Sequence, residues 1–233
     1  MKKSELTSPH PILAAENVCK QYATADKTLD VLKGINLEIR KGEMVMIYGR
    51  SGSGKSTLLH LLGGLDRPSS GAVKFHGRDI SHLNDAQISE YRSKQVGFVF
   101  QFYHLLPELT LFENVILPGR IAGADREREA KRLLDRVGLS HRMSHYPSQL
   151  SGGEQQRAAI ARSLANDPHI ILCDEPTGNL DEETADSVLE LLLALNEEEK
   201  KTFVIVTHEM SLVKNMESIY EIQDGVLKKA RKK

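Results

Sequence analysis

Apolar and polar residues alternate over 12–22 and again over 31–39, a period of two that predicts antiparallel strands with one buried face. The next apolar stretch, Met44-Val45-Met46-Ile47-Tyr48, does not alternate. It is short and stops at Gly49, so it reads as a strand buried on both faces. Helical spacing follows over 57–65, and Pro68-Ser69-Ser70-Gly71 closes that unit. Val96–Phe100 reads as a further strand. The block 104–165 differs in character. Charged and apolar residues recur there at helical spacing, most clearly over 125–137, which predicts a mostly helical subdomain ending near Asn166. Ile170-Ile171-Leu172-Cys173 and Phe203-Val204-Ile205-Val206 are again short buried-strand runs, with a helix over 183–196 between them. Strand–helix–strand order at this spacing implies a parallel crossover and an α/β sheet. Residues 1–11, polar and holding Pro9 and Pro11, read as a loose tail. Residues 228–233, five of them basic, read as a frayed basic tail.

Composition narrows the class without naming a function. The 233 residues suffice for one domain with a large core that needs no disulfide or metal. With 31 basic and 32 acidic residues the formal charge is −1, which argues against a surface built throughout to hold nucleic acid. The two cysteines, Cys19 and Cys173, lie far apart and fit a reducing compartment. No apolar run approaches the roughly 18 residues of a membrane-spanning helix, and no apolar stretch follows Lys2-Lys3 as in a signal peptide. A soluble intracellular protein is expected.

The first chemical signal is Gly49-Arg50-Ser51-Gly52-Ser53-Gly54-Lys55-Ser56-Thr57, which fits G-x-x-x-x-G-K-[ST] between a predicted strand and a predicted helix. Glycines let a backbone wrap closely around phosphate, and successive N–H groups with the helix N-terminus face its charge. Lys55 is expected to reach the β- and γ-phosphates, and the Ser56 hydroxyl to hold Mg²⁺.

Asp174 and Glu175 follow the buried run 170–173. A carboxylate at the end of such a strand can reach a metal at the phosphate loop, so Asp174 is assigned to Mg²⁺, through water. Glu175, one position later, is expected to point to the opposite face, toward an attacking water, as general base. His208 sits just past the run 203–206 and is a candidate donor to the γ-phosphate. Gln101 has the same placement after Phe100, and its amide could hold the attacking water or the metal. Cys173, flanked by apolar residues, is expected in the core.

Leu150-Ser151-Gly152-Gly153-Glu154-Gln155-Gln156-Arg157 is a second anion-binding helix start. One nucleotide does not easily use two such loops of one chain, so the second is expected to cap the nucleotide of a partner subunit. In this stretch, and in the order and spacing of the others, the sequence resembles the ATP-binding-cassette (ABC) ATPases over about residues 12–227. That resemblance implies a P-loop NTPase with a RecA-like α/β core, an antiparallel β subdomain and a helical subdomain, all in one domain over 12–227. It implies that Tyr22 stacks on adenine and that Gln101 senses nucleotide and touches the membrane subunit. Ser151, Gly152, Gly153 and Glu154 would form the signature that contacts the opposite ATP, and Asp181 would lie in the D-loop crossing the dimer interface. His208 would be the switch histidine. Many members have Ser-Ala-Leu-Asp at the D-loop, whereas this chain has Gly178-Asn179-Leu180-Asp181.

A single cassette with no spanning helix resembles the separate ATPase subunit of a bacterial transporter, peripheral on the cytoplasmic face of the inner membrane. Gln101-Phe102-Tyr103-His104-Leu105-Leu106-Pro107 resembles the lipoprotein-releasing branch of the family, in which two different integral membrane subunits are implied. Macrolide and peptide exporters, and the cell-division ATPase that acts as a signalling module, carry related segments and stay open as alternatives. Phe102, Tyr103, His104, Leu105 and Leu106 form an apolar run suited to a socket for a partner helix, or, for Leu105 and Leu106, to local core packing. The implied cofactors are ATP and Mg²⁺, and the implied cycle is a homodimer that closes on two ATP molecules and reopens after hydrolysis.

Overall fold

The computed structural model describes residues 11–23, 27–209, 216 and 218–230. Residues 1–10 and 231–233, most of the two expected tails, lie outside the described residues.

Two long strands, β1 (Leu13–Ala23) and β2 (Thr28–Ile39), pair antiparallel as their alternation predicts. The strands β4 (Ser70–Phe75) and β5 (Arg78–Asp79) complete a four-stranded sheet in the order β2-β1-β4-β5. Pro68-Ser69-Ser70-Gly71, read as closing the first helical unit, also opens β4: Ser70 and Gly71 already belong to it, and this short polar start becomes a strand by pairing with β1, Cys19 opposite Ser70.

The second sheet has six strands: β3 (Met44–Tyr48), β6 (Val96–Phe100), β7 (Ile170–Asp174), β8 (Thr202–Thr207), β9 (Ser218–Gln223) and β10 (Val226–Lys229). Its order is β10-β9-β3-β8-β7-β6, parallel throughout except for the β9–β10 hairpin. Lys228 and Lys229 are thus not frayed tail. They pair with Glu221 and Tyr220, because Asp224-Gly225 turns the chain back on itself.

Alternate residues of the central strands supply two different cores. Val45, Ile47, Ile170, Leu172, Val204 and Val206 face the helix α1 (Lys55–Leu62) and the antiparallel sheet. Met46, Ile171, Cys173, Phe203 and Ile205 face the other side. There they meet α3 (Leu111–Ile121), α4 (Glu127–Arg136), α5 (Gly152–Leu164) and α6 (Glu182–Glu199). Burial of both faces is why these strands read as continuous apolar runs. α2 (Asp85–Gln95) leads into β6.

The helical subdomain is held by local signals. Thr110 and Glu113 form a reciprocal capping box at the start of α3, and Ser151 and Glu154 form another at α5. Among the described residues no helix is long and apolar enough to cross a membrane.

Candidate nucleotide-binding site

Parallel register assembles the site. Tyr48 lies opposite Thr207, Val206 opposite Asp174, and Asp174 opposite Phe100. Four strands therefore end at one edge, and the residues just beyond them meet there, at the carboxyl ends where open α/β sheets bind ligands. One cleft at this edge is lined by Ser51, Gly52 and residues 54–57 of the phosphate loop, together with Gln101, Asp174 and Glu175. Gly49, Arg50 and Ser53 instead border a neighbouring hollow beside Glu221 and Asp224.

Lys55 is buried at 6% exposure. Its Nζ donates to the carbonyls of Gly49 (3.0 Å) and Arg50 (3.2 Å) and lies 3.5 Å from Glu175 Oε1. The ammonium is therefore anchored within the loop it serves. Ser56 Oγ donates to Asp174 Oδ1 at 3.0 Å. A hydroxyl and a carboxylate oxygen side by side are the hard donors a Mg²⁺ ion takes, so the residues fit that ion. Burial pushes the Asp174 carboxyl above its ordinary range, and the Ser56 hydrogen bond opposes the shift.

Glu175 does not point away from Asp174 as alternation along a strand would require. Both acids line the same cleft. The strand has ended, and Glu175 adopts a left-handed backbone, φ 48°, with its N–H bonded to Val206 O at 2.9 Å. Its carboxylate hydrogen-bonds His208 Nδ1, so His208 meets the general-base candidate. Gln101 Nε2 donates to Asn179 Oδ1 at 3.2 Å.

Tyr22 is 40% exposed, and its hydroxyl donates to Asp66 Oδ2 at 2.8 Å. Lys20 Nζ sits 4.8 Å from the ring centroid and bonds the same carboxylate. Asp66 lies four residues past the end of α1, with its N–H 3.4 Å from His60 O of that helix, which ties Tyr22 to the phosphate-loop helix. No local signal marks Asp66 as its partner.

The Ser151–Glu154 stretch does not line this cleft. Ser151 caps α5, and the Glu154 carboxylate accepts from Ser151 N–H at 2.9 Å and from Arg142 Nε at 3.1 Å, one bond to each oxygen. Gly153 is required by packing: a Cβ there would collide with the Thr184 methyl of α6. Asp181 caps α6, accepting from Thr184 N–H at 3.0 Å. Gln156, passed over in the sequence, is fully buried and donates to Pro176 O at 2.6 Å, joining α5 to the turn after Glu175.

The run 102–106 divides by exposure. Phe102 is 69% exposed and Leu106 43%, whereas Leu105 packs on the core. Tyr103 lies against Gly152, and the carbonyls of Tyr103 and His104 accept from the Arg162 guanidinium. No local signal in the sequence marks Arg162 for this contact, which ties α5 to the segment after β6.

A strand, a phosphate-type loop, a helix and an acid at the end of the next strand but one define a P-loop nucleotide-binding protein. The chain belongs to the ABC transporter family, whose profile matches residues 32–178. It is an ATP-binding cassette, an ATPase that couples hydrolysis to transport. It is 48% identical over 222 residues to the lipoprotein-releasing system ATP-binding protein LolD of Saccharophagus degradans, across 94% of this chain and 97% of that one. It also superposes on a dimeric ATP-binding cassette in a post-hydrolysis state bound to ADP and Pi. The TM-score is 0.86 and the identity 42%, over 95% of this chain and 100% of that one. A second dimeric structure, of a bacterial ABC transporter cassette, gives 0.85 at the same identity and coverage.

Proposed function

We propose that the chain is the ATPase subunit of a transporter that releases lipoproteins from the inner membrane toward the outer membrane. The observation that carries this reading is the 48% identity to LolD over nearly both full lengths. On this reading the chain is peripheral, on the cytoplasmic face, and works through two different integral membrane subunits.

Two copies would close head to tail on two ATP molecules. The phosphate loop and Lys55 of one copy hold the phosphates, Tyr22 carries the adenine, and Ser151, Gly152 and Gly153 of the other copy cap the γ-phosphate. In support, the α5 N-terminus carries positive dipole charge yet lies off its own chain's cleft. Ser56 and, through water, Asp174 would hold Mg²⁺, which when bound neutralises charge on the phosphate oxygens, and the Gln101 side-chain amide would meet that ion or the attacking water. Glu175 takes the proton of the attacking water, and His208 orients that carboxylate.

The membrane subunits would dock beside Gln101. A groove that ends at Phe100, the residue before Gln101, is bordered by Leu65, Phe98, Leu117 and Ile121 together with Arg92 and Arg162, and exposed Phe102 lies two positions beyond Phe100. The test is a pull-down of tagged Glu175→Gln from gently solubilised native membranes with Mg-ATP, read by mass spectrometry. Two different membrane subunits with large external domains are expected. One membrane protein present twice would overturn lipoprotein release in favour of an exporter or the cell-division complex.

A further inference from the structure

The two residues by which this chain departs from the Ser-Ala-Leu-Asp pattern, Gly178 and Asn179, both fit the side chain of Gln101. Asn179 Nδ2 donates to the backbone carbonyl of Gln101 at 3.0 Å, and Gln101 Nε2 donates to Asn179 Oδ1 at 3.2 Å. The pairing fixes the orientation of both amides. A backbone carbonyl only accepts, so Asn179 must turn its nitrogen to it. That leaves Oδ1 facing the Gln101 side chain, which must then answer with its own NH₂. The Gln101 carbonyl oxygen is the one amide atom not taken by the clasp, on a residue that lines the cleft with Ser56, Asp174 and Glu175. Gly178 makes the approach possible. A Cβ there would lie 3.0 Å from Gln101 Nε2, so the amide would have to shift by a few tenths of an ångström, and 3.5 Å from Glu175 Cβ, an ordinary contact.

We propose that Asn179 is a positioning residue for hydrolysis, clasping Gln101 so that its carbonyl oxygen is presented to the cleft, and that it joins the segment beginning at Gln101 to the turn that leads into Asp181. The inference rests on the assignment of Gln101 to the nucleotide site. Asn179 itself touches no reacting atom. It acts by holding one rotamer and one flip state of Gln101, which a lone solvent-facing glutamine would sample among several.

The test is a double-variant cycle on the full chain: Asn179→Ala, Gln101→Ala and both together, with Gly178→Ala as an independent second route to the same displacement. Steady-state hydrolysis is measured against Mg-ATP, with Tm and the affinity for a fluorescent ATP analogue, in the presence and absence of Mg²⁺, as further readouts. Losing two neutral hydrogen bonds at an exposed site is expected to lower kcat roughly 3- to 10-fold with KM for ATP unchanged. The analogue affinity without Mg²⁺ and the Tm stay at parental values. The double variant falls no lower than Gln101→Ala alone, because the clasp works only through Gln101. Gly178→Ala reproduces the kcat loss. Additive losses, or a fall in analogue affinity without Mg²⁺, overturn the clasp. If Gln101→Ala leaves kcat unchanged, the assignment of Gln101 itself fails, and that result is distinguishable because Gln101→Ala is measured separately.

Discussion

Ser56 and Asp174, 118 positions apart in sequence, meet through a 3.0 Å hydrogen bond from hydroxyl to carboxylate. It joins the first turn of α1 to the end of β7, two strands away from β3 across the parallel sheet. The bond is also the place where the fold gathers two hard oxygen ligands.

Asp174→Asn separates the two roles of that carboxyl. The raised pKa means that the folded chain keeps this proton at a pH where the unfolded chain has released it. The buried charge therefore opposes folding as pH rises from the ordinary Asp value through the raised one. The variant is expected to have a higher Tm than the parent near about pH 7 without nucleotide, with the gap closing toward about pH 4. Hydrolysis with Mg²⁺ is expected to fall on the order of 100-fold or more. Thermal unfolding across pH and a phosphate-release assay check the two outcomes.

Lys55→Ala removes a charge-assisted phosphate contact. Such contacts contribute about 1.5–3 kcal/mol, so nucleotide affinity is expected to weaken roughly 10- to 100-fold. Equilibrium titration with a fluorescent ATP analogue measures it.

Glu175→Gln keeps the length and polarity of the side chain and removes the base. A general base is worth about 10²–10⁴ in rate, and kcat is expected to drop by that factor with binding retained. The trapped species is expected to run as a dimer on a sizing column with Mg-ATP. A monomer under those conditions counts against the head-to-tail closure.

Phe102→Ala and Tyr103→Ala are expected to differ. Phe102 is mostly exposed, so its loss changes stability by no more than about 0.5 kcal/mol and leaves Tm nearly unmoved, while weakening co-purification with membrane subunits. Tyr103 packs against Gly152 at the start of α5, so its truncation lowers Tm as well. Thermal unfolding beside the pull-down separates the two.

Most of the local chemistry was legible in the chain. The phosphate loop, the acids at the end of β7 and the start of α5 are contiguous strings that residue type alone marks as candidates, although the direction expected for Glu175 did not hold. The central strands declared themselves because burial on both faces removes polar residues from them. Four other strands did not. β4 and β9, each paired on both sides, and β5 and β10 at the sheet edges are short and half-polar, and their pairing partners decide that they are strands at all.

Family membership, the order of the site segments and the burial of the central strands on both faces are each written in consecutive residues or a fixed period. The tertiary structure alone decided who meets whom. It brought Glu175 to His208, Tyr22 to Asp66, Gln156 to Pro176 and Asn179 to Gln101. The first depends on the parallel register of β7 and β8 and on a left-handed turn at Glu175. Neither leaves a periodic trace along the chain, because side chains far apart in sequence become neighbours only when the strands between them align.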